Sequence, residues 1–128
     1  DAVDPLTWAP RVLKDPPEGA PARKILFSYG VGDHSVNNLA SHMLLRAAGI
    51  DLLDPPAQPA WGVGTVAAPA PASAGLVVDF KFGEVVGIDA KTVHEAVRRS
   101  AKVKDTIDAF LKPGGRIEAF CDGPCDPE

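Results

Sequence analysis

The chain has 128 residues, 45% of them hydrophobic, and carries a net charge of −4 from 13 basic and 17 acidic side chains. That length is one domain at most, and that apolar content is enough to bury a core, which excludes a disordered tail. The acidic balance argues against a nucleic-acid partner, which needs a basic face, and apolar runs of only a few residues exclude a membrane span. The opening residues are not expected to be a signal peptide. It begins at Asp1 without a methionine, so an upstream segment is expected to have been cut off or processed away.

Residues 1–23 are rich in proline and charge, from Asp4-Pro-Leu-Thr-Trp8 through Asp15-Pro-Pro17 to Pro21. Prolines at this density exclude a long helix or a central strand. The stretch reads as an irregular arm, anchored by Trp8, laid over a body at 24–121. A short tail follows at 122–128.

The apolar run Lys24-Ile-Leu-Phe-Ser-Tyr29 predicts a strand over 24–29, and its continuity suits a strand buried on both faces of a parallel sheet. Gly30 and Gly32 let the chain turn sharply and bring Asp33 to the strand's C-terminal edge. A helix is predicted over 37–48, with Ser35 or Asn37 at its start and Leu39, Met43, Leu44 and Ala47 on one apolar stripe. Gly49 followed by Ile50 is a good stop. The low-complexity stretch 54–75 contains five prolines and reads as a long loop without regular structure. Trp61 is expected to pin that loop to the body, with pocket lining as the alternative.

A second strand is predicted over 76–82, Leu-Val-Val-Asp-Phe-Lys-Phe, with a loop over 83–91 after it. Thr92 and Glu95 form a T-x-x-E capping box at the start of a helix over 93–111. Val93, Val97, Val103, Ile107, Phe110 and Leu111 recur along it at helical spacing, and Pro113-Gly-Gly115 ends it. Residues 116–121 suggest a short edge strand. Strand, helix, strand, helix implies an α/β fold: a partial parallel sheet with crossover helices. Two main strands are too few to stand alone, so more sheet is expected from an N-terminal portion or a second chain.

Three kinds of chemistry compete for these residues. A carboxylate at Asp33 can hold an imidazole Nδ1 and fix its tautomer, or it can be a plain turn aspartate capping the next helix. His94, placed by the capping box in the first helical turn, can serve as a base, or it can be an exposed helix-start histidine. The partial positive charge of a helix start disfavours the imidazolium there. His34 and His42 are weaker candidates, and with Asp33 they match no familiar metal-ligand spacing, so neither metal nor other cofactor is expected. Cys121-Asp-Gly-Pro-Cys125 makes a poor zinc site. It fits either a local disulfide, as in a secreted or periplasmic protein, or two thiols of a cytoplasmic one. A Cys121–His94 thiol pair ranks last.

At these residues the chain resembles a family. Lys24 to Ile50, with Gly30-Val-Gly-Asp-His-Ser-Val-Asn-Asn-Leu-Ala40, is similar to the strand, acid turn and helix near the end of bacterial α/β-hydrolases of the lipase/esterase type, whose acid turn commonly reads Gly-x-x-Asp-x-x-Val. Val93-His-Glu-Ala-Val-Arg-Arg99, Ile107-Asp-Ala-Phe-Leu111, Gly114-Gly-Arg-Ile117, Cys121-Asp-Gly-Pro-Cys-Asp126 and the arm Asp4-Pro-Leu-Thr-Trp-Ala-Pro10 extend the resemblance over most of the chain outside 54–75. The resemblance implies that Asp33 is a triad acid and His94 its base, acting on a small ester. It also implies a serine on a G-x-S-x-G elbow earlier in the polypeptide. No G-x-S-x-G occurs in these 128 residues. The nucleophile is therefore expected on an N-terminal portion or a second chain. The alternative is a stand-alone, non-catalytic α/β binding domain, dimerising through an open sheet edge.

Overall fold

The computed structural model describes residues 4–80 and 90–126. Its frame is a small, all-parallel sheet of four strands: β1 (Leu26–Gly30), β2 (Leu52–Leu53), β3 (Thr65–Val66) and β4 (Ala74–Val78), in spatial order β1-β4-β2-β3. Helix α3 (Asn38–Ala48) crosses from β1 to β2, and α4 (Ala90–Arg99) and α5 (Ala101–Leu111) follow β4. The α/β class read from the sequence therefore holds. The sheet is larger than two strands, because Thr65 and Val66 lie opposite Leu52 and Leu53 inside the stretch expected to lack regular structure. β4 starts within it too, at Ala74.

β4 is the centre of the molecule. All five of its residues are buried, and it pairs along its whole length with β1, Leu26 opposite Ala74 through Gly30 opposite Val78. On its other side Leu52 meets Gly75. The absent side chain at Gly75 matters there: a Cβ would lie 2.8 Å from Leu52 Cδ2 and 3.2 Å from Leu45 Cδ2. That gap seats Leu45, fully buried, against the sheet. The buried stripe of α3 is thus Ser41, Leu45 and Ala48, while Leu39 and Met43 face outward. The apolar stripe expected at Leu39 and Met43 is rotated away from the core, because the position of Gly75 selects which helix face is buried.

One core cluster lies on each side of the sheet. Tyr29, Leu45, Ala48, Ile50, Leu52 and Val77 form the first with Ala9 of the arm. Leu76, Val78, Val97, Val103 and Ile117 form part of the second. The arm is not irregular. It contains two single-turn helices, α1 (Pro5–Trp8) and α2 (Pro10–Leu13), each with proline at its first position, where no N–H is needed. Ala9 is its buried contact, whereas Trp8 is 52% exposed.

The long helix expected over 93–111 is two helices. Ser100 leaves helical geometry at φ −56° and ψ 128°, and its Oγ accepts from Val103 N–H, capping α5. The chain is already helical at Ala90, so Thr92 falls inside α4 and not at its N-cap. α3 keeps the expected ends: Asn37 Oδ1 accepts from Leu39 N–H at 2.8 Å, and Gly49 adopts φ 74° with Ile50 N–H bonded to Leu45 O. In place of an edge strand, Ile117 forms one antiparallel bridge to Ala70. Lys81, Phe82 and residues 83–89 of the loop expected over 83–91 lie outside the described residues, and residues 90–91 belong to α4. No helix among the described residues is long and apolar enough to cross a membrane.

Candidate active site

The site begins with a missing side chain. A Cβ at Gly30 would sit 2.7 Å from Val93 Cγ1 and 2.9 Å from Val97 Cγ2. With hydrogen in that place, α4 lies directly on the last residue of β1. Val93 and Val97 are one helical turn apart, both buried, and carry His94 to the C-terminal end of β1.

Beyond Gly30 the chain turns through Gly32, which takes a positive φ of 76° that favours glycine. Val31 N–H continues the ladder onto Val78 O at 2.8 Å. Asn38, in the first turn of α3, clamps the turn from the other side. Its Nδ2 donates to Gly30 O at 2.7 Å and its Oδ1 accepts from Gly32 N–H at 2.8 Å. The turn is therefore held by strand, helix and side chain together, and Asp33 is fixed as a result.

Asp33 is 6% exposed. Its Oδ1 accepts from Ser35 N–H at 2.8 Å and Val36 N–H at 3.1 Å. Its Oδ2 lies 2.7 Å from His94 Nδ1. Burial by itself pushes the carboxyl's pKa up. The hydrogen bonds from His94, Val36 and Ser35, and the charge of an imidazolium beside it, more than reverse that and hold the carboxyl below the ordinary aspartate value. An anionic carboxylate at that distance accepts from Nδ1–H, so in the neutral tautomer of the ring that makes this bond Nε2 is the acceptor. His94 sits in the second turn of α4 and not the first.

No family model, curated protein or solved structure matches this chain.

The dyad opens into a cavity of about 270 Å³, walled by Phe27, Ser28, Tyr29, Val36, Ser41 and Arg98 besides the dyad itself. Arg98 is ion-paired with Glu95 on the same helix. Among the described residues no hydroxyl or thiol hydrogen-bonds His94. Cys121 is joined to Cys125 in a disulfide, which overturns the Cys121–His94 thiol pair. The tail that carries this disulfide is bound to the end of β4, where Asp79 N–H donates to Cys125 O at 2.9 Å.

The remaining candidates fall away from the dyad. His34 is exposed on the turn. His42 is half-buried with its ring edge-on to Tyr29, 5.6 Å between centroids, and not on a solvated face. Trp61 does not pin its loop by burial: it is 85% exposed, with the Arg46 guanidinium 5.1 Å from its ring centre. Among the described residues no three His, Cys, Asp or Glu side chains gather as a metal site would require. Sequence reading missed Asn38, Tyr29 and Ser41. Asn38 left a trace, as the second of two asparagines after an acid turn, where the first suffices as the cap.

Proposed function

We propose that Asp33 and His94 are the acid and base of a serine-hydrolase triad. In this reading the chain is the C-terminal part of an α/β-hydrolase of the lipase/esterase type, and the serine comes from a further polypeptide segment. The observation that carries the reading is the 2.7 Å bond between the buried Asp33 Oδ2 and His94 Nδ1, an acid that follows one parallel strand meeting a histidine that follows its paired neighbour. The low pKa of Asp33 keeps it anionic at neutral pH, which orients the ring and stabilises the imidazolium formed during turnover. His94 Nε2 then takes the serine proton as the hydroxyl attacks an ester carbonyl. The same proton passes to the leaving alcohol, and water releases the acid from the acyl-enzyme by the reverse order of transfers.

The test is labelling of the native protein, purified from its own cells, with a fluorophosphonate probe, followed by intact mass under denaturing conditions. The reading expects one labelled serine in a G-x-S-x-G sequence, and loss of labelling in His94→Ala. Absence of any labelled species refutes it. A second reading, a dimerising domain, is favoured by the edge of β1, which among the described residues has β4 as its one neighbour in the sheet. A concentration-dependent dimer in sedimentation equilibrium supports it, and a monomer at all concentrations removes it.

A further inference from the structure

Two hydroxyls in the wall of the dyad's cavity have no partner among the described residues. Tyr29 Oη and Ser41 Oγ are buried and make no hydrogen bond among the described residues, on side chains 5% and 2% exposed. Both residues line the cavity that holds Asp33 and His94. A buried hydroxyl without a partner destabilises the fold, and native structures leave few. A helical serine ordinarily bonds the carbonyl one turn back, and Ser41 does not. Phenylalanine and alanine at these positions would fill the same space without that cost.

We infer that Tyr29 and Ser41 form a subsite beside the dyad for a neutral oxygen function, a hydroxyl or carbonyl carried by the substrate's carbon chain. Burial pushes the Tyr29 phenol up to about 12, so it stays protonated and donates. Ser41 both donates and accepts. A ligand hydroxyl can accept from Tyr29 or donate to Ser41, and a carbonyl can accept from either. An anion is disfavoured, because the Asp33 carboxylate shares the cavity and Arg98 in its wall is already ion-paired with Glu95. Phe27 and Val36 supply apolar wall for the intervening carbons. On the hydrolase reading, on which the word ester alone rests, the substrate is an ester with a hydroxy- or oxo-substituted chain, not a plain alkyl ester.

The experiment needs no serine and no turnover. The isotope-labelled 128-residue chain is titrated by amide NMR with 3-hydroxybutanamide and with butanamide, neutral probes that differ by the hydroxyl. We expect shifts around Tyr29 and Ser41 and about three- to tenfold tighter binding of the hydroxyl-bearing amide. Ser41→Ala and Tyr29→Phe should each erase that preference with an unfolding midpoint equal to or above the parent's. Asp33→Asn should keep the preference, so a failed triad and a failed subsite give different results. Equal affinity for the two amides, no shift with either, or a lowered midpoint in Ser41→Ala overturns the subsite.

Discussion

Replacing Gly30 with alanine tests whether the dyad depends on the close approach of α4 to β1. Gly30 lies in ordinary strand backbone, so alanine meets no conformational penalty and the effect is steric. The new Cβ would lie 2.7 Å from Val93 Cγ1 and 2.9 Å from Val97 Cγ2, whereas ordinary contact begins at 3.4 Å. Relief requires the helix to recede by about 0.7 Å. Valine is stiff at χ1, so its methyls cannot swing clear cheaply. Overpacking of this kind costs about 1–3 kcal/mol. At about 4 °C per kcal/mol for a domain of this size, the unfolding midpoint should fall by roughly 4–12 °C. The recession also lengthens the 2.7 Å Asp33–His94 bond, to about 3.4 Å at most, and so weakens it. Thermal unfolding followed by circular dichroism reads the first effect, and the downfield proton NMR signal of His94 Nδ1–H reads the second. Adding Val93→Ala should recover part of the loss, so the double variant costs less than the two singles summed. A midpoint within about 1 °C of the parent, with the proton signal unchanged, would refute the packing argument.

The other predictions concern the turn. Asp33 has a depressed pKa in the folded chain, so its carboxylate contributes stability above the unfolded pKa and loses it as pH falls through the folded one. Unfolding midpoints taken from about pH 7 down to about pH 2 should therefore show an acid limb that Asp33→Asn flattens; identical limbs in both proteins would contradict the assignment. Asn38→Ala removes the bonds to Gly30 O and Gly32 N–H. At about 1 kcal/mol for each bond, it should cost roughly 2 kcal/mol in urea unfolding. It should also speed hydrogen exchange at Gly32, and an unchanged exchange rate there would count against the clamp.

Much of this was legible locally. Asp33 after β1, the Asn37 cap and the Gly49-Ile50 stop follow from residues a few places apart, where backbone geometry and short side chains decide. What was not legible depends on distant partners. The buried face of α3 is chosen by Gly75, which admits Leu45, and nothing near Leu45 in the chain announces that. Thr65 and Val66 form a strand because Leu52 and Leu53 lie beside them, although five prolines in the same stretch argue for loop. The clustered valines of α4 and α5 read as one periodic helix; the break at Ser100 turns on a hydroxyl that competes for a backbone amide. The partnership of Asp33 with His94 is of the same distant kind. In the sequence it came from a resemblance, and in the fold it is made by Gly30.

The strand order has a bearing on how the chain acquires its structure. Among the described residues β4 is the last strand made, yet it stands between β1 and β2. As synthesis proceeds from the N-terminus, β1, β2 and β3 emerge before the strand that joins β1 to the rest. The β2–β3 pair can close early, since its two strands lie near one another in the chain. β1 must wait, its backbone N–H and C=O groups unpaired on the side where β4 will bind, until Ala74–Val78 arrive. Non-local pairing of this sort slows folding and prolongs exposure to aggregation. The same insertion completes the platform on which α4 settles. Bonding of His94 to Asp33 is then a late event, and its appearance in a refolding experiment would time the closure of the sheet.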